Sequence, residues 1–174
     1  MKSASVYVVV FSLIAIVFLF FPVTVFEIRS MDRNDAIFRR KVDAGYSFAT
    51  LIRHSVHLTP VYEYYEISRD GQILLRGTRL QDLGWGVPST FSEDVRFEDD
   101  FIVIEKMERV IESIPFRVSY ITCPRLLLDD CAREIDLTLT VDELDRLDFF
   151  TERVALWEFL LRGEVDVFLG KTEK

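Results

Sequence analysis

From Ser5 to Phe21 the chain is apolar and uncharged ("SVYVVVFSLIAIVFLFF"), broken only by serine and Tyr7, and its hydrophobic period then changes. At ~1.5 Å rise per residue, a helix through this stretch approaches the ~30 Å hydrocarbon thickness of a bilayer, slightly short unless its ends snorkel or the bilayer thins. Pro22 removes a donor and clashes with the preceding turn, so the helix should end there. The β-branched run Val23-Thr24-Val25 then reads as the start of a strand. A cleaved signal peptide would have a shorter apolar region followed by small residues, whereas the exit here is "FFPVTVFEI". The expectation is an uncleaved transmembrane helix, residues 1–22.

From Val23 to Leu139 the pattern is short strands separated by turn signals. In "YSFATLIRHSV" the positions Tyr46, Phe48, Ile52 and Val56 share one face, and Ser47, Arg53 and Ser55 share the other. "EYYEIS" is followed by "RDG" at 69–71 as a turn, then by "QILLRGTRL"; "FIVIEKM", "FRVSYIT" and "EIDLTLT" continue the series. About eight such strands, with no internal repeat and no long linker, predict an antiparallel β-sandwich or barrel over residues 23–139.

At Thr140 the period changes again. "TVDE" has the form of a capping box, with Asp142, Glu143 and Asp145 at the positive end of the dipole. Leu144, Leu147, Phe150, Val154, Trp157 and Leu161 recur at helical spacing, Phe149, Leu156, Phe159 and Leu160 widen the apolar face, and Gly163 supplies a stop. The spacing predicts an amphipathic helix within residues 140–174, broad enough to need cover. The sheet, a partner contacted through Trp157 or the membrane surface could provide it, although an acidic polar face disfavours anionic lipid.

Charge narrows the function classes. Lysine and arginine number 21 against 29 acidic residues, for a formal charge of −8. Without a basic stripe to displace counterions from phosphates, nucleic acid is excluded as a partner. The placement of cations bears on orientation. Lys2 precedes the apolar helix, while Arg29, Arg33, Arg39, Arg40 and Lys41 follow it, which by the positive-inside rule points to a cytoplasmic domain. The same cations are interleaved with Glu27, Asp32, Asp35 and Asp43. Cys123 and Cys131 flank "PRLLLDD", and a hairpin between the flanking segments would bring the two thiols together. A disulfide there would stabilise the domain by about 2–3 kcal/mol and persist only in an oxidising compartment; two free, buried thiols are the alternative. The expectation is a single-pass membrane protein with its folded domain extracytoplasmic.

Candidate chemistry concentrates in "RHSVHLTPVYEYYE", Arg53–Glu66. If the strand ending at Val56 pairs with one starting at Val61 across "HLTP", Ile52 lies opposite Tyr65 and His54 opposite Glu63, on the apolar face. A carboxylate facing an imidazole favours the protonated histidine while burial opposes charging either group; the pair is either functional or a self-satisfied polar pair. Ser55 points away from His54, so a serine-histidine-glutamate triad fails on geometry. Zinc on His54, His57 and Glu63 would require a loop histidine to fold back, so no metal or other cofactor is expected. No glycine-rich phosphate loop, paired-carboxylate motif or CxxC is present, and the expectation is a non-enzymatic protein. In "LGWGVP", Leu83–Pro88, two glycines around Trp85 allow either a tight turn or an exposed anchor for a partner.

The apolar anchor, then "HSVHLTPVYEYYEI", then "LQDLGWGVP", together resemble the domain of unknown function 1850 family, in which His-Ser-Val, Pro-Val-x-Glu and Gly-x-Gly-x-Pro recur in this order. The matching positions are His54, Ser55, Val56, Pro60, Val61, Glu63, Gly84, Gly86 and Pro88; Trp85 departs from the small residue expected between the glycines. The resemblance covers about Val23 to Leu139 and carries no catalytic role. It implies a membrane-anchored accessory subunit of a TAXI-type TRAP transporter, a carrier of organic acids, with the permease as partner and its soluble binding protein as a second candidate. The alternative is an extracytoplasmic module that binds a small ligand or metal through the His54/Glu63 face and the Trp85 loop.

Overall fold

The computed structural model describes residues 2–81 and 94–169. Helix α1 spans Lys2–Leu19, two residues short of the end of the apolar run. The chain turns through Phe20 and Phe21 into strand β1 (Pro22–Ser30), so Pro22 and the β-branched run after it act as the sequence predicts. At 18 residues α1 rises about 27 Å. Among the described residues no helix is both long and apolar enough to cross a membrane.

Beyond β1 the described chain forms β2 (Asp35–Val42), β3 (Ser47–Arg53), β4 (Pro60–Ile67), β5 (Ile73–Leu80), β6 (Asp94–Glu98), β7 (Phe101–Glu105), β8 (Arg109–Ile111) and β9 (Ser113–Arg117). Then come β10 (Arg125–Leu128), β11 (Arg133–Asp136), a 3-10 turn (Leu137–Leu139), β12 (Arg146–Ala155), α2 (Leu156–Arg162) and β13 (Val165–Asp166). They make two antiparallel sheets. A five-stranded sheet has the order β13-β2-β1-β12-β9; an eight-stranded sheet runs β11-β10-β3-β4-β5-β7-β6, with β8 paired to β5.

The sheets pack face to face through aromatic side chains. Phe48 of β3 stacks on Phe26 of β1 at 4.6 Å and on Tyr65 of β4 at 5.0 Å, and leans on Phe149 of β12 at 6.5 Å. One ring thus touches strands of both sheets. At the β4–β5 turn, the predicted "RDG" adopts the left-handed backbone that glycine favours, with Gly71 at φ 77°. Thr151 of β12 donates to the Gly71 carbonyl at 2.5 Å, which fixes this turn of one sheet against the other.

The predicted C-terminal helix is corrected by this topology. Residues 146–155 are a ten-residue strand lying between β1 and β9, and only Leu156–Arg162 is helical, ending at Gly163 as predicted. Alternation rather than helical spacing buries Leu147 and Phe149 on the core side. The other side of β12 is also covered, with Phe150 beneath the Arg29 guanidinium. Apolar residues thus occur on both faces, Leu147 and Phe149 on one and Phe150 and Val154 on the other among charged neighbours, which mimics a helical stripe. Glu143 does not close a capping box; it accepts from the Tyr120 backbone and the Ser119 hydroxyl. A division at residue 139 would remove the inner strand β12 from the five-stranded sheet.

The possible disulfide is corrected as well. Cys123 and Cys131 are both free thiols. A hairpin does form, but β10 is itself the leucine run and its turn is 129–132. Cys131 therefore sits in the turn and Cys123 beyond the opposite end of the hairpin, separated by a four-residue strand that rises about 3.3 Å per residue.

Candidate functional site

The family-like hairpin is β3–β4. Its observed register sets Ile52 opposite Val61, Thr50 opposite Glu63 and Phe48 opposite Tyr65. The expected His54–Glu63 pairing is corrected, because β3 ends at Arg53 and residues 54–59 form the connection. The reason is local turn chemistry. Nδ1 of His54 accepts from the backbone N–H groups of Val56 and His57 at 3.3 and 3.1 Å, the Leu58 N–H donates to the His54 carbonyl, and Leu58 closes the turn at φ 56°. Pro60 opens β4, a strand position that tolerates the missing donor. Ser55, Val56 and His57 are exposed in the turn.

Glu63 faces the core side with Val61 and Tyr65, as the alternation predicts, but its partner is Tyr65, whose hydroxyl donates to Oε2 at 2.8 Å. Burial, and then the Glu63 charge, push the Tyr65 phenol well above its ordinary value. Burial and the neighbouring Asp129 carboxylate raise Tyr46 likewise, with Arg40 opposing. A phenol whose pKa rises on folding keeps its proton longer in the folded chain. The stability linked to it is complete below the unfolded value of about 10 and is lost as pH climbs past it. Thermal melts should therefore decline steeply above about pH 10. Tyr65→Phe should flatten that decline and cost about 1–3 kcal/mol at neutral pH, since Glu63 loses its donor.

The outward face of the eight-stranded sheet carries a surface that the sequence did not reveal. One lateral row across it reads Arg125, Leu51, Tyr62, Arg79 and Val103. Tyr62 stacks parallel to Tyr64 at 6.3 Å and meets the Phe101 ring edge-on at 6.2 Å. The Arg79 guanidinium lies 4.0 Å from the centre of the Phe101 ring, and its buried Nε has no hydrogen-bond partner among the described residues. Burial raises the Tyr64 phenol, with the Arg79 charge opposing. The alternation of Tyr62 and Tyr64 in "VYEYYE" was the one available signal; Arg79 and Phe101 arrive from other strands.

At one end of this row a hollow of about 270 Å³ opens among Leu51, Arg53, Leu58, Pro60, Cys123 and Arg125. Arg53 donates to the Ile121 carbonyl at 3.3 and 3.1 Å and approaches the Cys123 sulfur at 3.4 Å, while Arg125 pairs with Glu134 at 2.5 Å. Within a chain of net charge −8, this face presents guanidinium groups beside aromatic rings, a chemistry suited to carboxylates. Among the described residues no group of three or more His, Cys, Asp or Glu side chains could hold a metal ion. Gly84, Trp85, Gly86 and Pro88 lie outside the described residues. Trp157, the other residue expected to meet a partner, is on α2, where its ring lies 6.3 Å from that of Phe20.

These features define a small two-sheet β domain carried behind an apolar N-terminal helix, with an arginine- and tyrosine-bearing outer face. The chain belongs to the family described as domain of unknown function (DUF1850), whose model matches residues 48–137. The matched segment takes in every strand of the eight-stranded sheet, together with β9. The remaining strands of the five-stranded sheet come from the flanks. Searches of the curated proteins and of the solved structures found no match.

Proposed function

We propose that this protein is a membrane-anchored, non-enzymatic accessory subunit of a TAXI-type TRAP carrier, with its β domain on the extracytoplasmic face. The observation that carries the reading is the join between α1 and the domain. Large apolar side chains of α1, Phe11, Val17 and Phe18 among them, stand exposed, and only Phe20 and Phe21 separate the helix from β1, an inner strand of its sheet. A helix of this apolarity is stabilised in lipid, and a few ångströms of shortfall are absorbed by local thinning of the bilayer. With so short a connection the domain is held close to the membrane surface, where a permease and its binding protein meet. The carrier partnership rests on the His54–Glu63 and Gly84–Pro88 resemblance.

Orientation has support in the ion pairs. Arg29 and Arg39 both bind Glu27, Arg33 pairs with Asp35, and Arg40 pairs with Asp129, so these cations belong to the folded domain rather than to a free basic flank. Cys131 provides the test, because it is exposed in the 129–132 turn. In spheroplasts, a membrane-impermeant maleimide at pH 8 should label Cys131 in a Cys123→Ser chain. Labelling only after lysis would place the domain in the cytoplasm. The reaction should be slow, since burial and Asp130 raise the thiol pKa.

The Arg79 guanidinium, stacked on Phe101 and with its Nε unpartnered among the described residues, supports a second reading, in which the outer face of the eight-stranded sheet binds a small carboxylate. A ligand at a hundred times its Kd would stabilise the chain by about 2.7 kcal/mol. Aliphatic and aromatic carboxylates should then raise the melting temperature of the wild-type chain by several degrees and leave Arg79→Met unmoved. A flat response from the wild type removes this reading and leaves the first untouched.

A further inference from the structure

We propose that α2 lies in the membrane interface beside the exit of α1, as a second contact between the domain and the bilayer. The inference rests on α1 being the membrane anchor. Of the side chains of α2, Phe159 is buried against the domain, while Leu160 and Leu161 are 61% and 79% exposed and Trp157 is 39% exposed. A two-turn helix on a water-facing surface would carry polar residues at those positions.

The apolar patch is continuous with the end of α1. Phe20 and Phe21 are exposed. The Phe20 and Trp157 rings lie 6.3 Å apart, and the Leu156 N–H donates to the Phe21 carbonyl at 2.9 Å. That hydrogen bond fixes the start of α2 at the level where the chain leaves α1. If α1 is in the membrane, α2 begins at the headgroup layer. A tryptophan there has its ring among the acyl chains and its N–H among the headgroups, the arrangement that enriches this residue at membrane interfaces.

Charge also permits it. The acidic residues 142, 143, 145 and 148 all precede α2, which carries only Glu158 and Arg162. Arg162 reaches Glu152 of β12 at 2.9 Å and pairs with Glu158 at 2.6 Å, so the two charges within the helix cancel. Its apolar face, and not a basic one, is what meets the bilayer, which makes zwitterionic lipid sufficient.

The test uses the full chain in phosphatidylcholine vesicles. Trp85 and Trp157 are its two tryptophans, so Trp85→Phe isolates the signal of Trp157, and Trp157→Phe supplies the background. Vesicles brominated near the headgroup end of the acyl chain should quench Trp157 more than vesicles brominated near the terminal methyl. Leu161→Asp should shift its emission to the red and weaken the quenching. Fluorescence indifferent to bromine at either depth overturns the proposal, including the case in which adding a membrane subunit then shields the tryptophan, which would give this face to that subunit. Alkaline carbonate extraction keeps the two readings apart. A chain that resists carbonate but shows no quenching keeps its anchor and loses only the interfacial role of α2. A chain stripped by carbonate loses both.

Discussion

Ending the chain at Leu139 is expected to leave no cooperatively folded protein. The truncation preserves the whole family segment, so a self-sufficient 48–137 unit would survive it. It removes β12 from between β1 and β9, however, together with the buried side chains of Val141, Leu147, Phe149, Phe159 and Phe168. At about 1.5–3 kcal/mol for each buried apolar side chain, the loss is on the order of 10 kcal/mol. The whole net stability of a domain is about 5–15 kcal/mol. In addition β1 would face solvent along an edge that now pairs over its full length, Pro22 opposite Ala155 to Ser30 opposite Leu147. Circular dichroism and a melting curve of the truncated chain in detergent decide the matter. A sigmoidal melt like that of the full chain would mean that the second sheet is dispensable.

Arg39→Ala should cost about 3–5 kcal/mol, the largest effect of any single charged-residue change here. Glu27 lies at the centre of β1 with a fully buried carboxylate. Arg29 donates to Oε1 through Nε and Nη2 at 2.8 and 2.6 Å, and Arg39, only 12% exposed, donates to Oε2 at 2.6 Å. Removing Arg39 leaves one oxygen of a buried anion without its donor, and water cannot readily replace it. Arg29 is 33% exposed, so its loss admits solvent to the same carboxylate and should cost less. Replacing both members, as Glu27→Leu with Arg39→Met, should recover most of the stability, because the desolvated charge disappears with its partner. Urea unfolding of the three variants in detergent measures the difference. Equal stability of wild type and Arg39→Ala would show that the pair is solvated.

What the sequence made legible was whatever depends on neighbours along the chain. Pro22 ended α1, the glycine in "RDG" made the β4–β5 turn, Gly163 closed α2, and the alternation from Val61 to Ile67 put Glu63 on the core side. What failed depends on neighbours in space. Leu147, Phe149, Phe150 and Val154 read as a helix because apolar residues on both faces of the strand obscure its two-residue period. The register of β3 and β4 was misplaced because His54 binds backbone amides of its own turn, which ends the strand before the histidine can face a cross-strand partner. Cys123 and Cys131 were placed across a hairpin whose strand was read as its loop. The Tyr62–Arg79–Phe101 surface draws on three strands, and no local pattern joins them.

The proposed partnership with a carrier is tested most directly by purifying the tagged chain from the cells' membranes in mild detergent and identifying what accompanies it by mass spectrometry. Membrane subunits of a TAXI-type TRAP carrier should co-purify, with the soluble binding protein joining them when its substrate is present. A chain that emerges alone after crosslinking in intact cells would contradict the accessory role and leave carboxylate binding on the outer face of the eight-stranded sheet as the function to pursue.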